Sequence, residues 1–419
     1  MSTLPFSSKA LRTTDSPISW LMAKAIEDPA MLSIAAGFVD TDTLPEDLVR
    51  VAMERVLADP KRAKAALQYG STLGHAGLRQ AMAKRLMAQG LTRVDPTTIC
   101  ISNGGQQALY SVTEVMVNPG DIVLVEDPTY FVYMDVLRAS GARVIGVQTD
   151  AEGMVPAALE ERFEELRRSG ARDRVRILYV MSYFTNPKGC NPSRARRRQL
   201  HAIYTRENAL QPFLMVEDAS YRDLGLEGED EPFIKSFEQP GDSIFLSGTF
   251  SKAFAPGVRL GWSHGPRPVM EAIARQKGNQ DFGSSNLNQS LVAELLESGA
   301  YDLAGERFRL RYRAKRDALL AAIEHHWPAD ADILHPNGGL YVWARLPGID
   351  TDPGSEFFDE VLAVKVLYVP GRYCYCDETQ GERPRDAMRL CYGVADEAAM
   401  GEAIRRMGAV IERLKAPTA

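Results

Sequence analysis

Between residues 97 and 264 the chain repeats a short apolar run followed by a turn, and most of these runs are separated by a stretch with helical periodicity. The runs are "TTICIS" (97–102), "DIVLVE" (121–126), "ARVIGVQ" (142–148), "RILYVM" (176–181), "PFLMVE" (212–217), "SIFLS" (243–247) and "RLGWSH" (259–264). Several are apolar at nearly every position, which suits strands covered on both faces and not the alternating pattern of a half-solvated sheet. Helices are expected at 104–116, 129–139, 156–169 and 193–207, the last entered through Asn191-Pro192-Ser193. Strands alternating with helices mean an α/β fold with a mostly parallel central sheet and helices on both faces.

After about residue 285 the pattern changes. Two helical stretches lead into "GGLYVWARLP" (338–347), "KVLYVPG" (365–371) and "AMRLCYGVA" (387–395), with an amphipathic helix near 396–414. These read as a smaller α+β unit. The first fifty residues are turn-rich, with little regular pattern. The expected division is an N-terminal arm at 1–49, a large domain at 50–290 and a small C-terminal domain at 291–419.

Net charge near −6 argues against a nucleic-acid scaffold and against attraction to acidic membranes. The basic run "SRARRRQL" (193–200) has no interleaved aromatics and reads as the solvated face of a helix. No apolar run is long enough to span a bilayer, and the N-terminus lacks the pattern of a signal peptide. Five scattered cysteines fit a reducing cytoplasm. Cys374-x-Cys376 has no second pair or nearby histidine to complete a metal site, and the histidines show no ligand or triad spacing, so no metal is expected.

The strand ends carry the chemistry, because open α/β sheets bind ligands at their carboxyl edge. "TTICIS" leads into "NGGQQAL", a glycine-rich helix start suited to a phosphate, although many such turns are glycine-rich for steric reasons alone. "RILYVMSYF" leads into "TNPKG" with Asn186. "PFLMVE" leads to Asp218 and Tyr221, and "SIFLSG" leads to Thr249, Ser251 and Lys252, with Arg259 just beyond. Thr249, Ser251, Arg259 and the amides of Gly105 and Gln106 form a donor set for a dianionic phosphate. A carboxylate at the end of a buried strand, Asp218, needs a cation, and a protonated ring nitrogen would serve. Asn186 and Tyr221 suit a phenolic oxygen, and the Lys252 amine suits an aldehyde. A ring with all four groups is pyridoxal 5′-phosphate.

The ordered set "NGGQQAL…EDPTYF…TNPKG…EDASY…SGTFSK…R" resembles the class I/II pyridoxal-phosphate-dependent aminotransferases of fold type I, with 2-aminoadipate, kynurenine and aromatic aminotransferases among its likenesses. "LQYGSTLGHAGLR" (67–79), "PNGGLYVWARLP", "YVPGRY" and "AMRLCYG" extend the resemblance along most of the chain. It implies that Lys252 holds the coenzyme aldehyde and later moves the substrate α-proton, that Asp218 pairs with the ring nitrogen, and that Tyr130 stacks on the ring. Tyr69 is implied to reach the phosphate of a neighbouring subunit, hence a homodimer. Arg389 is implied to grip the substrate α-carboxylate with Asn186 and the backbone at Gly37. Read from residues alone, Tyr130 could be core packing, Tyr69 a loop residue, and Arg389 a costly unpaired buried arginine.

Departures from the family pattern lie near the substrate: "AAGFVD" (35–40) replaces a glycine- and proline-containing segment, and Ser19 stands where some members carry arginine. With Tyr373, Tyr375, Phe38 and Trp20, this suggests an apolar or aromatic-tolerant pocket, although Arg372 could meet an acidic side chain. The expected activity is transfer of an amino group between an L-amino acid of aromatic, aminoadipate-like or branched-chain type and a 2-oxo acid. β-Elimination, decarboxylation or a cyclising synthase reaction would use the same ring-holding residues. A ligand-sensing transcription regulator is the other class, and it would need a winged-helix domain before the pattern that starts by residue 30.

Overall fold

The structure, a computed structural model, describes residues 4–238 and 243–416. Its centre is an eight-stranded sheet in the order Ile99–Ser102, Gly261–His264, Ile244–Thr249, Leu214–Asp218, Val175–Met181, Ile122–Asp127, Arg143–Asp150 and Gly153–Met154. The strands from Ile244–Thr249 to Arg143–Asp150 run parallel. Gly261–His264 and Gly153–Met154 are reversed.

Alternate residues of one strand enter two different cores. Val123 and Val125 pack with the helices Gly105–Met116 and Phe131–Ser140, whereas Ile122 and Leu124 face the helices Pro156–Arg168 and Arg194–Leu210. This is why the runs are apolar throughout: each side chain meets a helix whichever way it points. It also leaves the strand ends as the place where polar side chains emerge.

A second, four-stranded antiparallel sheet follows in the order Asp332–Leu334, Tyr341–Arg345, Ala387–Cys391, Val369–Pro370. The run at 365–371 does not form one strand. Val366–Leu367 pairs in parallel with Leu32–Ser33, while Val369–Pro370 pairs with Ala387–Cys391. Pro370 has no amide hydrogen to continue the ladder. The first element thus ties the N-terminal segment to the C-terminal part of the chain.

Two further expectations are corrected. The start of the chain is not irregular: it forms helices Ser8–Arg12, Pro17–Glu27 and Glu46–Ala58. Ser7 caps the first by accepting from Ala10 N–H, and Pro17 opens the second with a φ suited to a helix. The first is a single short turn with Leu11 exposed, and Pro17, Asp28 and Pro45 break the text between the three, so periodicity over this stretch is weak. The basic run is not simply a solvated face either. Arg197 is fully buried, donating to Pro192 O, Pro232 O, Ser182 O and Asn191 Oδ1 and lying over the Tyr183 ring. It braces the turn that carries Asn186.

Candidate active site

The parallel strands Val175–Met181 and Leu214–Asp218 pair Met181 with Asp218 and Tyr179 with Val216, so Tyr179 and Asp218 share a face of the sheet. Tyr179 Oη donates to Asp218 Oδ2 at 2.9 Å, and Ser220 N–H donates to Oδ1 at 2.9 Å. Burial pushes the Asp218 carboxyl above its usual range, and those two donors oppose the shift. Among the described residues no lysine or arginine forms an ion pair with it. A carboxylate in that setting is poised for a cationic partner that the chain does not itself provide.

Arg389 is the converse. It lies on Ala387–Cys391, is 2 % exposed, and has no carboxylate partner among the described residues. Nη1 donates to Asn186 Oδ1 at 2.9 Å and Nη2 to Ala35 O at 2.8 Å, while Nε has no acceptor. The guanidinium lies over the Tyr341 ring at 4.2 Å and the Phe131 ring at 5.4 Å. A buried cation held by neutral dipoles and ring faces, with a donor to spare, has the chemistry to receive a carboxylate.

Lys252 follows the strand Ile244–Thr249, and its Nζ donates to Gly37 O at 2.9 Å. Desolvation brings the amine down to about 8, and the Arg389 and Arg259 cations add to that. Gly37 admits no side chain, because a Cβ would overlap Tyr341 Oη. Tyr221 Oη and Tyr341 Oη are hydrogen-bonded at 3.0 Å. Lys252, Gly37, Tyr341, Tyr221, Arg389 and Asn186 thus form one chain of contacts.

The helix Gly105–Met116 has no side-chain cap at its N-terminus, and Gly104 takes φ 77°, a conformation glycine adopts without strain. A Cβ on Gly105 would sit 3.5 Å from both Ser220 Oγ and Thr249 Cβ, and one on Gly104 would sit 3.3 Å from Arg259 Nη2. The open helix start, Thr249 and Arg259 therefore face one small volume. Gly261 lets its backbone abut Gly104 and Gly105, since any side chain there would collide with both. Ser251 is buried and its N–H donates to Thr249 Oγ1 at 3.1 Å. The Tyr130 hydroxyl donates to Gln106 Oε1 at 3.3 Å, which leaves the Gln106 backbone as the group at the helix start.

Not every expected residue converges. Tyr69, expected to serve a neighbouring subunit, lies outside this cluster in its own chain: it is 85 % exposed, its ring tilted against Phe282 with centroids 6.0 Å apart. Of the aromatic side chains expected around the substrate, Trp20 stacks on Phe358, Tyr375 meets Trp343 edge-on, and Phe38 is exposed. The Arg372 cation acts on Asp352. Three contributors were not read from the sequence. Tyr179 looks like core in an apolar run, Ser220 is one of many turn serines, and Tyr341 sits unremarked inside "GGLYVW". The signal for Tyr341 was the adjacent glycine pair, which brings the chain against Phe184.

The donor set suits pyridoxal 5′-phosphate, as the unpaired buried charges of Asp218 and Arg389 and the uncapped helix start each answer to one part of that coenzyme or its substrate. Among the described residues no cluster of side chains could hold a metal ion, and no helix is long and apolar enough to cross a membrane.

Comparison with known proteins agrees. Residues 30–407 match the family described as aminotransferase class I and II. The chain is 32% identical to aromatic-amino-acid aminotransferase 1 of Thermococcus litoralis, covering 97% of this chain and 94% of that protein. It is 31% identical to the 2-aminoadipate transaminase of Thermus thermophilus, covering 94% of each. The kynurenine aminotransferase of Pyrococcus horikoshii superposes with a TM-score of 0.89 at 31% identity, over 98% of this chain and 97% of that one. With its mostly parallel sheet and the Lys252 site at the carboxyl edge of that sheet, the chain belongs to the class I and II aminotransferases and has their fold type I architecture.

Proposed function

We propose that this aminotransferase binds pyridoxal 5′-phosphate between Asp218 and the start of the helix Gly105–Met116, and uses it to exchange an amino group between an L-amino acid and a 2-oxo acid by a ping-pong course. One observation carries the reading. Among the described residues a buried carboxylate, Asp218, has no cation and a buried guanidinium, Arg389, has no carboxylate, and Arg389 acts on an amine, Lys252, whose pKa is lowered to about 8. When bound, the coenzyme supplies an aldehyde for that amine and a ring that accepts the electron pair released at the substrate α-carbon.

The chain's residues divide the remaining work. Asp218 holds a proton on the ring nitrogen, and Tyr179 and Ser220 keep its two oxygens in place. Asn186 and Tyr221 donate to the ring oxygen, and Tyr130 covers the ring face. Gly105, Gln106, Thr249, Ser251 and Arg259 hold the phosphate. Arg389 and Asn186 seat the substrate carboxylate against the backbone of residues 35–37. Lys252 Nζ, partly neutral near pH 8, takes the α-proton; its low pKa makes it a competent base at ordinary pH.

The exposed Tyr69 and Phe282 support a homodimer in which Tyr69 reaches the partner's phosphate site. All five cysteines are free, which fits a cytoplasmic protein. We retain the division into an arm at 1–49, a large domain at 50–290 and a small domain at 291–419. The names of the relatives favour aromatic or 2-aminoadipate-like substrates, and the branched-chain range is proposed beside them.

The test is spectroscopic. Wild type should purify yellow, lose the colour stoichiometrically with a suitable amino acid alone, and stop. Continuous ammonia release would instead mark an eliminating enzyme. Lys252→Ala should lack both the bound chromophore and turnover, and a yellow, active variant would refute the assignment.

A further inference from the structure

Residues 34–40 form a strap that runs past Arg389 and Lys252. Its first end is tied where Ile34 N–H donates to Leu367 O at 2.9 Å and Cys391 N–H donates to Ile34 O at 2.8 Å. Between its ends it presents Ala35 O to Arg389 and Gly37 O to Lys252. Its far end is held differently, by an ion pair sealed from solvent. Lys315, on the helix Ala300–His326, is 0 % exposed, and Asp40 is 2 % exposed.

The pair is completely satisfied. Lys315 Nζ donates to Asp40 Oδ1 at 2.5 Å, Gly393 O at 2.9 Å and Val394 O at 3.1 Å, one acceptor for each ammonium hydrogen. Asp40 Oδ2 accepts from Thr43 N–H at 3.1 Å and from its hydroxyl at 2.5 Å, and Asp40 N–H donates to Tyr312 Oη at 3.1 Å. Arg311 Nε stands 3.6 Å from Asp40 Oδ1 while its guanidinium engages Glu397. Gly393 faces Phe38 O so closely that a side chain there would overlap it.

A buried ion pair is a poor source of net stability, because desolvating two charges offsets most of their attraction. What such a pair does supply is a single allowed position for the segments it joins. Here the joined segments are the strap and the end of the strand bearing Arg389, so both tied elements carry atoms of the carboxylate seat.

We propose that Lys315 and Asp40 are positioning residues for amino-acid binding. Their clasp holds residues 35–39 so that the backbone of Ala35 and Gly37 forms the wall against which Arg389 seats the substrate carboxylate. This rests on the reading of Arg389 as the carboxylate receptor, and it goes beyond that reading in assigning a binding role to a pair that touches neither coenzyme nor substrate.

The test uses coenzyme-loaded Asp40→Asn, Lys315→Met and the charge-free double variant Asp40→Leu/Lys315→Met. Stopped-flow half-reactions with L-phenylalanine and L-2-aminoadipate separate the amino-acid dissociation constant from the limiting rate. Amide hydrogen exchange at residues 35–39 is read without amino acid. For the single variants the dissociation constant should rise about tenfold or more, with the limiting rate within about threefold of wild type. Coenzyme stoichiometry should be unchanged and exchange at 35–39 faster. The double variant should recover thermal stability yet keep the weak binding and the fast exchange. Wild-type affinity in the double variant, or unaltered exchange at 35–39 in the single variants, overturns the proposal. Should wild type fail to bleach with L-phenylalanine, L-2-aminoadipate and L-leucine alike, the functional reading fails, and the exchange result still decides the clasp.

Discussion

Replacing Lys252 by methionine should stabilise the coenzyme-free protein at pH 7, and the gain should fade as pH rises. The folded pocket lowers the Lys252 amine from 10.5 to about 8, first by desolvation and then through Arg389 and Arg259. Below pH 8 the folded chain must hold an ammonium in that pocket, whereas the unfolded chain holds it in water. The penalty is therefore complete below the folded pKa. It is relieved between about 8 and 10.5, where the folded amine is already neutral and the unfolded chain sheds its proton in turn. At 1.36 kcal/mol per unit the full penalty is about 3 kcal/mol, falling to roughly half of that or less at pH 9.5. Methionine forfeits the bond to Gly37 O, about 1 kcal/mol. The net advantage is then about 2 kcal/mol at pH 7 and under about 1 kcal/mol at pH 9.5. Urea unfolding of both proteins, freed of coenzyme, at the two pH values measures it as a difference in midpoints. Equal stability at pH 7, or an advantage that does not shrink with pH, would refute the electrostatic account and leave only a packing effect. Adding Arg389→Leu to both proteins should reduce the advantage, since one of the cations that depresses the amine is then gone.

Three further outcomes follow from the same geometry. Asp218→Asn should retain the yellow chromophore while the half-reaction slows about a hundredfold or more, because an amide cannot hold the ring nitrogen's proton; an unslowed half-reaction would exclude that role. Arg389→Leu should leave coenzyme binding intact and weaken amino-acid binding by about 2 to 5 kcal/mol, read as the concentration dependence of bleaching. Mixing Lys252→Ala with Tyr69→Ala protein under subunit exchange should restore activity if Tyr69 serves the partner's site, since one site of each hybrid then carries neither lesion. No recovery would place Tyr69 outside the shared site.

The candidate site was legible where local pattern and chemistry coincide. Apolar runs locate strands, strands ending in Asp218, Asn186 and Thr249–Lys252 locate a sheet edge, and the residue types at that edge fit one coenzyme. Tyr179 was not legible, because a tyrosine inside an apolar run serves equally as packing, and only the register with Leu214–Asp218 turns its hydroxyl onto Asp218. Arg197 was hidden in a basic run whose members look alike until one of them is buried.

Resemblance to the family singled out the amine, carboxylate and guanidinium proposed to act at the sheet edge; by itself the sequence determined the α/β architecture and that edge. Those follow from burial periodicity and from the cost of placing polar groups at strand ends, both of which act over a few residues. Only the tertiary structure decided which groups sit behind them: Tyr179 on Asp218, Tyr341 under Arg389, and Lys315 on Asp40 across 275 positions of chain. Contacts of that kind depend on how separate elements register against one another, and no local pattern encodes a register between segments so far apart.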